Sequence, residues 1–124
     1  MFFIISAHTG NNVEINSNNT LALIDSLIGL KAKFRACTGS YKGVQEQSFL
    51  VKMDHRINLK VMISLVKHFN QDSGLLLDNN IGTLFYGNGR IEKLEGQFQE
   101  IDKNEAMNID AWTKIENRFF TIKG

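Results

Sequence analysis

The residues best suited to chemistry flank a short glycine-containing connection near the middle of the sequence. Tyr41 and Glu46 stand on either side of Gly43, between two runs that read as β-strands. A hairpin holds such a pair near one another and leaves both side chains accessible, as a binding or catalytic pair requires. The same residues are also typical of a solvated turn with a tyrosine at its rim, and spacing alone favours that structural role.

Other classes of site have weaker support. The histidines His8, His55 and His68 are scattered, and the sequence has no Cys/His cluster, His-Glu-x-x-His motif or EF-hand spacing, so no metal or other cofactor is predicted. The Gly87-Asn88-Gly89 segment is too short for a phosphate-binding fingerprint and precedes a strand, which favours a hairpin turn. Cys37 has no histidine partner in a motif and is predicted to be a strand or core residue.

Length and charge exclude several classes of protein. The 124 residues support one domain, 1–124, and the net charge of +1 gives no electrostatic case for a nucleic-acid partner. The apolar start, Met1 to Ala7, lacks a basic leader and is too short to cross a bilayer, so no membrane partner is expected. A single cysteine fits a reducing compartment, and we expect a cytoplasmic protein.

Hydrophobic periodicity predicts the elements that must position these residues. A first strand, Phe2–Ala7, leads through the exit loop His8–Asn12 towards a helix. The cap-rich segment Asn16–Thr20 opens that helix, which ends near Lys33 and buries a stripe at Leu21, Ile24, Leu27 and Ile28. Leu23 and Leu30 widen this face. A second helix lies within His55–Asn70 and carries an amphipathic stripe at Leu59, Met62, Leu65, Val66 and Phe69. The remaining predicted strands are Phe34–Tyr41, Gln47–Met53, Leu75–Leu77, Ile81–Tyr86, Arg90–Leu94 and the tail Arg118–Ile122, with a polar segment at Glu100–Glu105.

The order β-α-β-β-α-β followed by extra strands predicts an α+β protein of the ferredoxin-like, or split βαβ, class. Two helices would cover one face of an antiparallel sheet. Several of the strands are apolar on both sides, so the other face needs cover as well. A second copy of the chain could supply it, which makes an oligomer plausible.

Several stretches, in the same order along the chain, resemble the phage-encoded S-adenosylmethionine lyases, a family long described as S-adenosylmethionine hydrolases. The first strand ends in Ser6-Ala7, and Gly39-Ser40-Tyr41 is similar to a Gly-x-Tyr that precedes a functional glutamate, here Glu46. The most specific stretch, Gly96–Ile101, resembles a Gly-x-Phe-Gln-Glu-Val segment. A further family acid corresponds to Asp78.

This resemblance implies a ferredoxin-like α-β sandwich similar to PII signalling proteins, assembled as a homotrimer with active sites between subunits. It implies that S-adenosylmethionine is degraded to methylthioadenosine and homoserine lactone, in the service of phage anti-restriction in the host cytoplasm. Tyr41 and Glu46 would be the catalytic residues. The substrate-binding residues would be Ser6, Ala7, His8, Asp78, Phe98 and Glu100.

Two other functions remain open on the sequence. A PII-like trimer could bind a nucleotide or S-adenosylmethionine as a sensor and return it intact, because a fold does not dictate a function. A small phage protein could instead bind a host defence enzyme directly. Mimicry of DNA is disfavoured, since a mimic is strongly acidic and this chain carries a net charge of +1.

Overall fold

A computed structural model describes residues 1–9 and 12–124, and the part it describes contains nine strands and three helices. Part of the predicted exit loop, Gly10 and Asn11, lies outside the described residues. The elements in chain order are β1 (Phe2–Ser6), α1 (Val13–Gly29), β2 (Lys33–Tyr41), β3 (Val44–Lys52), α2 (Leu59–His68), β4 (Ser73–Asp78), β5 (Ile81–Tyr86), β6 (Ile91–Lys93), β7 (Gln97–Ile101), α3 (Lys103–Met107), β8 (Ala111–Ile115) and β9 (Arg118–Lys123).

All nine described strands join one antiparallel sheet in the order β6-β5-β4-β1-β3-β2-β8-β9-β7. The sheet curls until its two ends meet. The Phe98 amide at the β7 end donates a hydrogen bond to the Asn80 carbonyl beside β5, at 2.7 Å. Gly82 of β5 packs against the Ile122 side chain of β9, where a Cβ would have no room. The predicted α+β class is confirmed, with a larger sheet than expected.

The main core lies between one face of this sheet and helices α1 and α2. Phe3 and Ile5 of β1 and Phe49 and Val51 of β3 alternate with residues that point the other way, and all four are buried. Helix α2 contributes an amphipathic stripe that the sequence predicted, and it begins at an Asn58 side chain that accepts from the Val61 amide at 3.1 Å. The further core residues from the helices and their connections are Leu23, Leu27, Ile57, Met62, Val66 and Phe69.

Helix α1 differs from the prediction in its start and in its buried face. It begins at Val13, because Asn12 rather than a residue of Asn16–Thr20 caps it and accepts from the Ile15 amide at 3.0 Å. Leu21 and Ile28, which were predicted to be buried, are 61% and 60% exposed. The buried residues are Leu23 and Leu27. Ile24 and Leu30 pack against the core beside them, so periodicity found the centre of the buried face and wrongly added Leu21 and Ile28 to it.

The C-terminal third was the least well predicted. The polar segment Glu100–Glu105 proved to be the end of strand β7 and most of the short helix α3, and strand β8 was not predicted. Helix α3 packs Ala106 on a second small cluster with Ile101 and Phe119. These short elements carry charged residues among few apolar ones, so their structure depends on pairing with distant strands. None of the helices in residues 1–9 and 12–124 combines the length and apolar character needed to cross a membrane.

We expect Gly74→Ala to destabilise the protein. A Cβ at Gly74 would overlap the Phe3 ring and press on Val66, and both of these side chains are fully buried. Overpacking of this kind costs about 1–3 kcal/mol, so the urea midpoint should fall without a change in slope. The matched control is Gly29→Ala at the end of α1, where no atom lies within 4 Å of the new Cβ. An unchanged midpoint for Gly74→Ala would contradict the packing described.

Candidate functional site

The hairpin of β2 and β3 brings Tyr41 and Glu46 together, as the sequence predicted. The two strands pair from Lys33 opposite Lys52 to Tyr41 opposite Val44, and only Lys42 and Gly43 form the turn. Their φ angles are 50° and 82°, as a type I′ hairpin turn requires. Gly43 adopts this conformation without steric cost, so the turn fixes the register of both strands.

Tyr41 and Glu46 lie on the same face of the sheet, opposite the helices. Phe49 faces the helical core, and strand alternation therefore turns Glu46 the other way. Glu46 stands opposite Gly39, two residues before Tyr41, which makes the pair diagonal neighbours at about 7–8 Å. Tyr41 is 60% exposed and Glu46 is half-buried. Neither the Tyr41 hydroxyl nor the Glu46 carboxylate has a hydrogen bond or ion pair to any described residue, so both are available to a ligand.

The end of β1 lies beside this pair. Ser6 stands opposite Ser48, two residues from Glu46 on the same face. The Ser6 hydroxyl donates to the Gln47 carbonyl at 2.9 Å and accepts from the His8 amide at 3.2 Å. The end of β1 therefore places three of the predicted site residues beside the hairpin, namely Ser6, Ala7 and His8.

Ala7 and His8 are held in place from the helical side. Ala7 is fully buried in the core and positions its neighbours. The His8 carbonyl accepts from the Gln71 side-chain amide at 2.7 Å, which ties the loop after β1 to the segment after α2. The His8 side chain is half-buried and so retains surface for a ligand.

Glu46 and Glu100 occupy the two ends of one row of residues that runs directly across five strands. Each member pairs with the next, and the row consists of Glu46, Gly39, Thr113, Phe120 and Glu100. Four strand spacings of about 4.8 Å separate the ends by about 19 Å along the sheet. Glu46 and Glu100 therefore lie four strands apart in the curled sheet, and no strand pairing among the described residues joins the Gly96–Ile101 segment directly to the Tyr41–Glu46 pair.

The far end of this row has partners of its own. Arg118 donates to both oxygens of Glu100, at 2.6 and 3.1 Å, and this hydrogen bonding together with the guanidinium charge lowers the pKa of that carboxyl. Phe98 stacks on Phe120 with ring centroids 5.2 Å apart and planes 4° from parallel. Both rings are half-buried on the face that carries Glu46, so they offer an apolar platform.

Asp78 lies away from the Tyr41–Glu46 pair but near the Gly96–Ile101 segment, because the Asn80 carbonyl two residues later accepts from the Phe98 amide at 2.7 Å. It ends β4 and is exposed, just before the turn residues Asn79 and Asn80, whose φ angles are 50° and 68°. Strand β4 runs antiparallel to β1 and places Leu77 beside Phe2. Asp78 is therefore at the opposite end of the strands from Ser6 and Glu46.

The order and identity of these segments match a known family. Residues 3–123 fit the model of the S-Adenosylmethionine lyase family. The chain belongs to this family. No curated protein sequence matches it closely enough to count as a relative. The resemblance stated above is confirmed over nearly the whole chain, and the family's name indicates an enzyme with S-adenosylmethionine lyase activity.

The site of this lyase offers binding and positioning groups. In residues 1–9 and 12–124 no three His, Cys, Asp or Glu side chains are grouped so that they could hold a metal ion. An open cleft of about 580 Å³, lined in part by Lys67, Tyr86 and Arg90, contains none of the predicted site residues. What the Tyr41–Glu46 face provides is one unpaired carboxylate and one phenol, with the Phe98–Phe120 stack on the same face three to four strands away.

Sequence reasoning missed Thr113 because strand β8 was not predicted. Thr113 stands directly across Gly39 from Glu46, on the same face of the sheet. The signal that could have revealed it is the alternation of Trp112 and Lys114 with Thr113, but so short a run carries little weight alone. Its position depends on pairing with a strand more than 70 residues earlier in the chain.

Cys37 is not a nucleophile of this site, although it lies on the same face two residues before Gly39. It is 4% exposed, and burial raises the pKa of its thiol to about 11. The prediction of a strand or core cysteine is confirmed.

We expect native Cys37 to resist alkylation. At pH 8 a thiol with a pKa of about 11 holds roughly 100-fold less thiolate than an ordinary cysteine. Iodoacetamide should therefore label the folded protein at least about 100-fold more slowly than the urea-unfolded chain. The unfolded chain loses this proton first, so the free energy of unfolding should also decline as the pH rises from about 9 to about 11. Equal labelling rates, measured by mass spectrometry, would show that Cys37 is accessible.

Proposed function

We propose that this protein, as one domain of residues 1–124, degrades S-adenosylmethionine to methylthioadenosine and homoserine lactone. The observation that carries the proposal is the family match over residues 3–123, which spans every element that builds the site. The accessible Tyr41–Glu46 pair supports it, because neither the Tyr41 hydroxyl nor the Glu46 carboxylate forms a hydrogen bond or ion pair with a described residue. Purified protein incubated with S-adenosylmethionine should release methylthioadenosine. A sensor or a binder of host enzymes would return the substrate intact.

The proposed reaction needs no group beyond the substrate itself. The substrate's carboxylate oxygen attacks its own γ-carbon, and the bond from that carbon to sulfur breaks. The electron pair of that bond returns to the sulfonium, which leaves as neutral methylthioadenosine, while the carboxylate becomes the ester of a five-membered lactone. No proton, oxidant or reductant is consumed. Correct orientation for such a ring closure is worth up to about 7–11 kcal/mol, so positioning is the main task of the protein.

Glu46 is assigned to the α-ammonium of the substrate, with Tyr41 beside it to position the methionyl group. A carboxylate placed at the sulfonium would stabilise the charged ground state more than the transition state, in which that charge is being lost. The ammonium keeps its charge throughout, so binding there orients the tail without opposing the reaction. The half-buried position of Glu46 next to an exposed Tyr41 supports this arrangement.

The other predicted contacts are assigned to the nucleoside. Ser6, Ala7 and His8 continue from the Tyr41–Glu46 pair, and Phe98 carries an aromatic face suited to adenine. Asp78 stands at the opposite end of the strands from Glu46, and Glu100 stands four strands away in the curled sheet. Because strand pairing does not set these two acids beside Glu46 in one chain, we propose a homotrimer with active sites at its subunit interfaces, where a second chain contributes them.

We also propose a ferredoxin-like, PII-like core built from β1, α1, β2, β3, α2 and β4. The order β4-β1-β3-β2 within the larger sheet supports it, since this is the order that a split βαβ pair produces. The proposed place of action is the cytoplasm of a phage-infected host. Loss of the methyl donor there would impair restriction enzymes that require it.

Removal of either catalytic group should stop the reaction. Glu46→Gln removes the charge that holds the ammonium, and Tyr41→Phe removes the phenol, so each should lower kcat/KM for methylthioadenosine release by about 100-fold or more. Both residues lie outside the core, so the thermal midpoint should stay close to that of the wild type. The matched controls are Glu14→Gln, an exposed carboxylate in the first turn of α1, and Tyr86→Phe, the chain's other tyrosine. Wild-type rates in Glu46→Gln and Tyr41→Phe would remove the proposed site.

The first amino-acid product distinguishes a lyase from a hydrolase. Internal attack makes homoserine lactone from the substrate's own oxygen atoms, so the earliest product formed in water enriched in oxygen-18 should carry no label. Mass spectrometry of samples quenched within the first turnovers measures this. Labelled homoserine at the earliest times would instead assign Glu46 to general-base activation of water.

A further inference from the structure

The space above Gly39 is a gap between three side chains of the candidate site. Gly39 stands on β2 between Glu46 of β3 and Thr113 of β8, each directly opposite it. Two strand spacings of about 4.8 Å place Glu46 and Thr113 about 10 Å apart, with no side chain between them. Tyr41, two residues further along β2, borders the gap on a third side.

The glycine is not required by the backbone at this position. Its φ angle is not in the positive range, unlike those of Gly43, Gly89 and Gly96. A Cβ on Gly39 would meet just one atom within 4 Å, the Ser48 hydroxyl oxygen at 3.4 Å. A larger residue would also pack better in a strand, since glycine weakens strands. The absence of a side chain at Gly39 therefore leaves space that a ligand can occupy.

The groups around this gap define the chemistry of a ligand. The backbone of β2 is paired on both edges at Gly39, with β3 on one side and β8 on the other, so hydrogen-bonding capacity must come from side chains. Glu46 contributes a negative charge, and Thr113 contributes a hydroxyl that is half-buried and bonded to no described residue. The Ser48 hydroxyl, 3.4 Å from the position of a Gly39 Cβ, is a third acceptor. Three acceptors, one of them charged, suit a primary ammonium with its three N–H donors.

We propose that the gap over Gly39 is the subsite for the α-ammonium of the substrate, with Thr113 as its second acceptor opposite Glu46. This inference rests on the proposed function, because it places the same ammonium at Glu46. It adds two residues to the site: Gly39, which admits the amino-acid end of the substrate, and Thr113, which positions it.

The test is a series that fills the gap or removes its second acceptor. Gly39→Ala should raise the KM for S-adenosylmethionine by about tenfold with a much smaller effect on kcat, and Gly39→Val should raise it further. Thr113→Val keeps the side-chain shape and loses the hydroxyl, so it should raise KM by a similar factor, whereas Thr113→Ser should stay near the wild type. Gly29→Ala is the matched control, since it adds the same methyl group in open space.

A second readout separates a subsite from a general disturbance of the fold. Methylthioadenosine lacks the amino-acid tail, so its inhibition constant should be unchanged in all of these variants. The thermal midpoint of Gly39→Ala should not fall, because alanine suits a strand better than glycine. An unchanged KM in both Gly39→Ala and Thr113→Val would overturn the proposal, as would an equal weakening of S-adenosylmethionine and methylthioadenosine.

Failure of the proposed function would look different. Wild-type protein that bound S-adenosylmethionine without cleaving it would refute the lyase reaction, and calorimetric Kd values for the same variants would still decide the subsite. Wild-type protein that neither bound nor cleaved it would refute both. If Gly39→Val does not fold, Gly39→Ala and the two Thr113 variants decide the question.

Discussion

The register between β2 and β3 is the constraint on which the rest of the structure depends. Burial of Phe49 and Val51 against the helices fixes which face of β3 is the core face, and Phe34 of β2 meets Phe49 edge-on at 5.8 Å. A slip of one residue would turn these side chains outward and Glu46 inward. The free energy of core packing therefore also orients the carboxylate of the candidate site. The Lys42-Gly43 turn closes the hairpin in this register.

Local patterns predicted the parts of this arrangement that depend on neighbouring residues. The hairpin follows from Gly43 between two β-rich runs, and α2 follows from its apolar stripe. The face of α1 was predicted only in part, because Leu23 and Leu27 are buried as expected while the apolar Leu21 and Ile28 are exposed. Strand β8 was not predicted, because its residues form a strand only through pairing with the distant β2. The row from Glu46 to Glu100 is a property of five strands together and has no local signal.

The segment that carried the resemblance to the lyase family has a structural role in this chain. Gly96 has a φ angle of 98°, and a Cβ there would collide with the backbone of Lys123. It opens β7, which pairs with β9 and meets the β4–β5 turn where the sheet closes. Gly96–Ile101 thus marks the closure of the curled sheet. That closure holds β9 beside β8, and so it supports Thr113, which lies two strands from Glu46, and Phe120, which lies three strands from it.

Charge explains why so few protein groups suffice for the proposed chemistry. During ring closure the sulfonium and the attacking carboxylate lose their charges together. A fixed protein charge of opposite sign beside either group would therefore stabilise the ground state more than the transition state. The α-ammonium is the one charged group of the methionyl tail that remains unchanged. A carboxylate bound to it stabilises both states equally and contributes through orientation alone. On the described face Glu46 lies beside Tyr41 and the Gly39 gap, whereas Glu100 forms an ion pair with Arg118. A single unpaired carboxylate at the ammonium end is the arrangement that this reaction tolerates.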